Sequence, residues 1–264
     1  MTDAAALARP RLRVFAGPNG SGKSTIQELL KPEWIGAYVN ADDIERQLYQ
    51  TGTLDLSAFG LVSAPEVLQQ RLSTHLADSE LLRIHGLEGV AAGLTVGPGA
   101  VLRLPPASAN SYVAAVLADA LRRELLAQGS TFTFETVMSS PDKIDFMREA
   151  QERGYRTYLY FVATDDPEIN ISRVKLRVSQ GGHDVPEDRI RKRYERSIAL
   201  LDDACSVANR AYVFDNSGEA HELIAEVDEG EELKVHVPAL PAWFTGTTLW
   251  QSFQADADAP PAPG

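Results

Sequence analysis

The chain has 264 residues, 44% of them hydrophobic and 23% charged, with a formal net charge of −12 at pH 7. That length and apolar share suffice for a full core in one large domain or two small ones, while the acidic balance opposes adsorption to nucleic-acid backbones or anionic membranes. A single cysteine, Cys205, excludes an intramolecular disulfide and fits a reducing compartment.

No run reaches bilayer length and residues 1–10 lack a secretory pattern, so a cytoplasmic address is expected. Leu12-Arg13-Val14-Phe15-Ala16 reads as a first strand. It runs into Gly17-Pro18-Asn19-Gly20-Ser21-Gly22-Lys23-Ser24, a complete G-x-x-x-x-G-K-[ST] phosphate loop, and Thr25 then leads a helical stretch over 25–30. Strand, loop and helix in that order are the context the motif needs. The three glycines let successive backbone N–H groups turn toward a phosphate. Lys23 is expected to reach the outer phosphates of a nucleotide and Ser24 to hold Mg²⁺.

Ala37-Tyr38-Val39-Asn40 reads as a second short strand, and a helix follows with an acid at its N-cap. Asp42 just past that strand has two readings, a general base that takes the proton of a substrate hydroxyl or a helix N-cap. Residues 51–108 lose the alternation of strand and helix. Leu-rich helical pieces at 65–72 and 79–84, with Gly97-Pro98-Gly99 and Pro105-Pro106 turns, mark an insertion.

From Asn110 the pattern resumes. Tyr112, Val116, Leu117, Leu121 and Leu125 recur at helical spacing to Gly129, and Thr131-Phe132-Thr133-Phe134-Glu135 alternates as a strand. Glu135 at its end is placed to orient a substrate hydroxyl or assist Mg²⁺ through water. A helix at 141–153 and a β-branched and aromatic strand at 155–163 follow.

Residues 171–196 then carry eight Lys/Arg against four acids, a net of +4 in an acidic protein. Arg173 and Arg177 share one helical face. Arg189, Arg193 and Arg196 share another, opposite an apolar face of Ile190, Tyr194, Ile198 and Leu201. Gly181-Gly182-His183 links the two helices, with His183 read as a turn or capping residue. The arrangement suits a lid whose arginines stabilise a transferred phosphoryl group and which excludes water. Strand Ala211-Tyr212-Val213-Phe214 and a hairpin at 222–237 complete the pattern, and the Pro/Ala/Asp-rich stretch 255–264 reads as a disordered tail. Cys205 is expected in the core, and Trp34, Trp243 and Trp250 in packing roles. No His/Cys cluster has zinc-ligand spacing.

These elements give an α/β fold, a three-layer P-loop NTPase of kinase type with a mostly parallel central sheet, a helical lid and a helical insertion. Residues 11–218 form its domain, with the insertion at about 51–108, and 219–250 are a C-terminal hairpin extension packed on the domain.

Four blocks together, the loop Gly17 to Thr25, Asn40-Ala41-Asp42, Phe134-Glu135-Thr136, and Arg173 and Arg177 before Gly181-Gly182-His183-Asp184-Val185-Pro186, resemble the zeta-toxin family of P-loop kinases. The resemblance spans roughly 11–218 apart from the insertion. It implies ATP and Mg²⁺ as cofactors and transfer to an alcohol group, in characterised members a sugar hydroxyl of UDP-N-acetylglucosamine. It also leaves room for an antitoxin protein as partner, while the acidic balance opposes nucleic acid or membrane as one. By motif, Gly17, Pro18, Asn19, Gly20, Ser21, Gly22, Lys23, Ser24 and Thr25 match the nucleotide loop. Asp42 matches the base and Glu135, with Thr136 and Asn40, the substrate side; Arg177, then Arg173 or Arg193, match the lid arginines. The insertion has no counterpart in the compact toxins, and His183 stands near the place of their second lid arginine.

Competing readings remain. The loop wording also suits an ABC-type ATPase, which Ser179-Gln180-Gly181-Gly182 and the run 198–203 mimic, although the helical periodicity through 190–201 opposes a strand there. A regulatory nucleotide-binding module, and a kinase acting on another nucleotide, are the others.

Overall fold

The computed structural model describes residues 9–182 and 184–257. Residues 1–8, His183 and residues 258–264 of the expected tail lie outside the described residues; 255–257 close the last helix. In chain order the elements begin β1 (Arg11–Ala16), α1 (Lys23–Gln27), α2 (Pro32–Ile35), β2 (Ala37–Val39), α3 (Ala41–Thr51) and β3 (Thr53–Asp55). Next come α4 (Pro65–Ala77), α5 (Glu80–Ile84), β4 (Thr95–Gly97), β5 (Val101–Arg103), α6 (Ser111–Gln128), β6 (Phe132–Thr136), α7 (Asp142–Glu152) and β7 (Arg156–Ala163). Then follow α8 (Pro167–Ser179), α9 (Glu187–Ala199), α10 (Leu201–Val207), β8 (Arg210–Asp215), β9 (Glu222–Asp228), β10 (Glu232–Val235), α11 (Ala242–Thr245) and α12 (Thr248–Ala257). Two compact units result, 1–34 with 136–264, and 35–135.

In the first unit the strand order is β10-β9-β8-β7-β1. Strands β1, β7 and β8 are parallel, with Val14 opposite Leu159 and Leu159 opposite Ala211, because helical crossovers separate them in sequence. β9 and β10 then fold back antiparallel as the expected hairpin. The odd-numbered residues of β7, Thr157, Leu159, Phe161 and Ala163, are fully buried beneath α7 and α10. On the opposite face Phe15, Tyr160 and Tyr212 stack in a row, with ring centroids 4.8 and 5.1 Å apart. The run 198–203 spans the end of α9 and the start of α10, so the strand that an ABC-type reading needs is helix instead. Cys205 is buried in α10, as expected.

The second unit pairs β2 with β6 in parallel, Val39 opposite Phe134. Helix α6 packs on α3 and α4 and starts at Asn110, whose Oδ1 accepts from the backbone N–H groups of Tyr112 and Val113. Buried Arg122 lies over the Phe134 ring at 4.9 Å and pairs with Asp119 at 2.9 Å. Besides α4 and α5, the stretch 51–108 contains an antiparallel sheet in the order β3-β5-β4 that sequence periodicity does not reveal.

Three expectations need correcting. Helix α1 is the five-residue Lys23–Gln27 and stops short of the 25–30 stretch read as helical. Trp34 is 43% exposed, with Lys31 over its ring at 5.4 Å, and is not a core packing residue. The N-cap of α3 is Asn40, whose Oδ1 accepts from the Asp42 backbone N–H at 2.8 Å; Asp42 sits inside the helix's first turn.

Candidate active site

The phosphate loop connects β1 to α1 through tight backbone contacts. Gly17 has φ +137°, and a Cβ there would stand 2.0 Å from the Val162 carbonyl oxygen. At Gly22, φ +93°, a Cβ would meet Asn216 Nδ2 at 2.1 Å. Both positions therefore require glycine on conformation and on space. Lys23 is buried, and its ammonium donates to the carbonyls of Gly17 and Pro18 at 3.0 Å each. The charge is thus presented from inside the loop at a fixed place. Ser24 and Thr25 are exposed at the loop's end.

Two asparagines grip this loop. Asn170 on α8 is fully buried and donates Nδ2 to the Asn19 carbonyl at 2.7 Å, while its Oδ1 accepts from Thr164 Oγ1. Asn216, just past β8, donates Nδ2 to the Ser21 carbonyl at 2.7 Å. Tyr194 on α9 donates to the Thr164 carbonyl at 2.5 Å. Burial, with Asp165, Asp166 and Asp215 nearby, pushes its phenol up to about 12, so it remains a donor at neutral pH. Sequence reasoning missed Asn170 and Asn216, for no spacing motif surrounds them, and placed Tyr194 only on the apolar face of its helix.

Helices α8 and α9, expected as a lid, are held together by Ile171, Val174, Val185 and Ile190. Arg193 reaches the loop directly, its Nη1 donating to Asn19 Oδ1 at 3.2 Å. Arg173 donates Nη2 to the Gly218 carbonyl at 3.4 Å, and its Nη1 is buried without a hydrogen-bond partner among the described residues. Half-buried Arg177 is wrapped by the turn that ends α8: Gly182 N–H donates to the Arg177 carbonyl at 2.9 Å, and a Cβ at Gly182 would stand 2.5 Å from Arg177 Cγ. Arg189 and Arg196 are exposed. A cleft of about 340 Å³ between α8 and α9 is lined by apolar residues, Asp184 and the Lys175–Glu187 pair, and by none of these arginines.

The second unit gathers its own polar cluster at the ends of β2 and β6. Tyr38 Oη donates to Glu135 Oε2 at 3.0 Å, and Asn40 Nδ2 reaches both Tyr38 Oη (3.3 Å) and Glu135 Oε2 (3.4 Å). Asp42 is exposed, and its carboxylate makes no hydrogen bond or ion pair among the described residues. Thr136 Oγ1 accepts from the Met138 N–H at 3.0 Å and shapes the turn after β6. The structure therefore brings Asn40, Asp42 and Glu135 into one cluster, and the loop with Arg193 into another.

Residues 106–225 match the model of the zeta toxin family. That match takes in less than half of the chain. The match includes Glu135, Thr136, Arg173, Arg177 and Arg193, while the phosphate loop, Asn40 and Asp42 precede it. An uncharacterized protein of Haemophilus influenzae is 36% identical over 63 residues, 24% of this chain and 45% of its own length, so the chain spans under half of that relative.

Among solved structures, the AvrRxo1-ORF1:-ORF2 complex with ATP aligns over 97% of this chain and 66% of its own, at 15% identity and a TM-score of 0.50. A structure of the PezAT chromosomal toxin-antitoxin system of Streptococcus pneumoniae aligns over 79% and 68%, at 17% identity and a TM-score of 0.43. The AvrRxo1 likeness bears on the fold alone, which is α/β as the element pattern implied. No described helix is long and apolar enough to cross a membrane.

Proposed function

We propose that this zeta toxin-like protein is an ATP-dependent phosphotransferase that acts on an alcohol group of a small acceptor, in particular a nucleotide sugar such as UDP-N-acetylglucosamine. The observation that carries the reading is the contact of lid and loop. Arg193 on α9 touches Asn19 in a loop whose Lys23 is already held at the Gly17 and Pro18 carbonyls. A preset cation and donors of this kind stabilise developing phosphoryl charge without reorganising. Bound ATP would supply the γ-phosphoryl group and Mg²⁺ would neutralise its oxygens.

The donor set suits that metal, since Mg²⁺ takes few protein ligands and prefers oxygen; exposed Ser24 offers a hydroxyl at the loop's end. In the same reading Asp42 takes the acceptor proton, its carboxylate exposed and without a bond among the described residues while Asn40 performs the capping. Glu135, with Asn40 and Thr136, orients the acceptor, and Arg177 and Arg173 join Arg193 about the transferred group. An antitoxin-type protein partner belongs to the same proposal, as the AvrRxo1 neighbour was solved as a complex of two proteins.

Incubation with γ-labelled ATP, Mg²⁺ and a panel of nucleotide sugars, beside a Lys23→Ala control, tests the reading. Label should pass to at least one sugar hydroxyl in the wild type and not in the control. ATP hydrolysis alone, with no labelled acceptor, would refute it.

A further inference from the structure

Beyond the residues already placed in the site, Tyr38 stands out. It is half-buried on β2, and its hydroxyl bridges Asn40 and Glu135. The direction of each bond among Tyr38, Asn40 and Glu135 can be assigned. Asn40 Oδ1 is engaged by the Asp42 N–H at the start of α3, which leaves Nδ2 as the group facing Tyr38 and Glu135. Tyr38 Oη then accepts from Asn40 and donates to Glu135 Oε2. Burial, and next the Glu135 charge, push the Tyr38 phenol well above its ordinary range, so it stays protonated and always donates. One asparagine thus links the Asp42 backbone to the carboxylate of Glu135 through a phenol that cannot reverse its bond.

We propose that Tyr38 is a positioning residue for the phosphoryl acceptor: it fixes the Glu135 carboxylate in the one rotamer that receives an acceptor hydroxyl. This rests on the acceptor reading of Glu135 given above. A carboxylate can only accept while ionised, and pinning one oxygen removes the rotamer freedom that acceptor binding would otherwise have to freeze. The recognised class is therefore a hydroxyl-rich donor such as a sugar. Tyr38 itself need not touch the acceptor.

The test is Tyr38→Phe, which deletes one hydroxyl and keeps the ring, assayed with γ-labelled ATP and UDP-N-acetylglucosamine. KM for the acceptor should rise about tenfold, in line with a lost hydrogen bond to a charged group, with KM for ATP and the melting temperature unmoved and kcat changed less than about twofold. In a Glu135→Gln background the same substitution should add little, because its effect passes through that carboxylate.

An unchanged acceptor KM in an active Tyr38→Phe enzyme overturns the inference while the kinase reading stands. A rise in both KM values with a lower melting temperature shows a merely structural tyrosine and overturns it too. A wild type that labels no nucleotide sugar removes the acceptor reading itself, and the inference with it. Tyr38→Met, of similar apolar reach, repeats the comparison should the Phe variant not fold.

Discussion

Asp42 and Asn216 show how single side chains divide the work. Asn40 takes over the capping of α3, and with Asp42 as the proposed base Asp42→Asn should lower phosphoryl transfer by about 10²–10⁴-fold, the span of a lost general base. ATP affinity, measured by calorimetry, should be unaffected; retained transfer would remove Asp42 from the reaction. Asn216 acts on the loop alone. Its amide is the donor to the Ser21 carbonyl and packs against Gly22, and Asn216→Ala leaves that carbonyl unpaired at a cost of about 1 kcal/mol or more. ATP should bind roughly fivefold more weakly by calorimetry, with the acceptor KM unmoved. The loop itself was legible, since G-x-x-x-x-G-K-[ST] is a local pattern set by three glycines. Its two asparagine clamps were not, because they sit 151 and 195 residues away from the carbonyls they hold.

At the scale of elements, periodicity served where runs were long. α6 has eighteen residues and ends at Gly129, while β7, read from its β-branched and aromatic residues, has its last five residues all buried. The three strands β3, β4 and β5 have three residues each, too short for an alternation to rise above chance, so the sheet within 51–108 was invisible. The helix N-terminus of α3 was misread by two positions for a related reason: Asn40 and Asp42 are both good caps, and only backbone geometry chooses between them. Asn110 gives an element-level prediction. Its Oδ1 satisfies two orphan N–H groups of α6, so Asn110→Ala should destabilise the protein by about 1 kcal/mol. A lower urea midpoint at unchanged slope would register this, and an unchanged midpoint would show that water replaces the cap.

The whole molecule protects its one thiol. Cys205 is fully buried in α10, and burial, with Asp202 nearby, pushes its acidity far above the ordinary range. A raised thiol stays protonated and unreactive at pH 8, where a free cysteine is partly thiolate. Maleimide should therefore label the native protein only as fast as it opens, and at the full rate in urea; rapid native labelling would contradict the packing of α10. By itself the sequence determined the α/β alternation, the phosphate loop and the basic lid helices, because each is written in contiguous or helically spaced residues. Only the tertiary structure decided which groups hold that loop, which residue caps α3, and that Tyr38 and Asn40 secure Glu135. Those are contacts between strand ends far apart in the chain, and their partners are chosen by sheet register and helix packing, which no local pattern records.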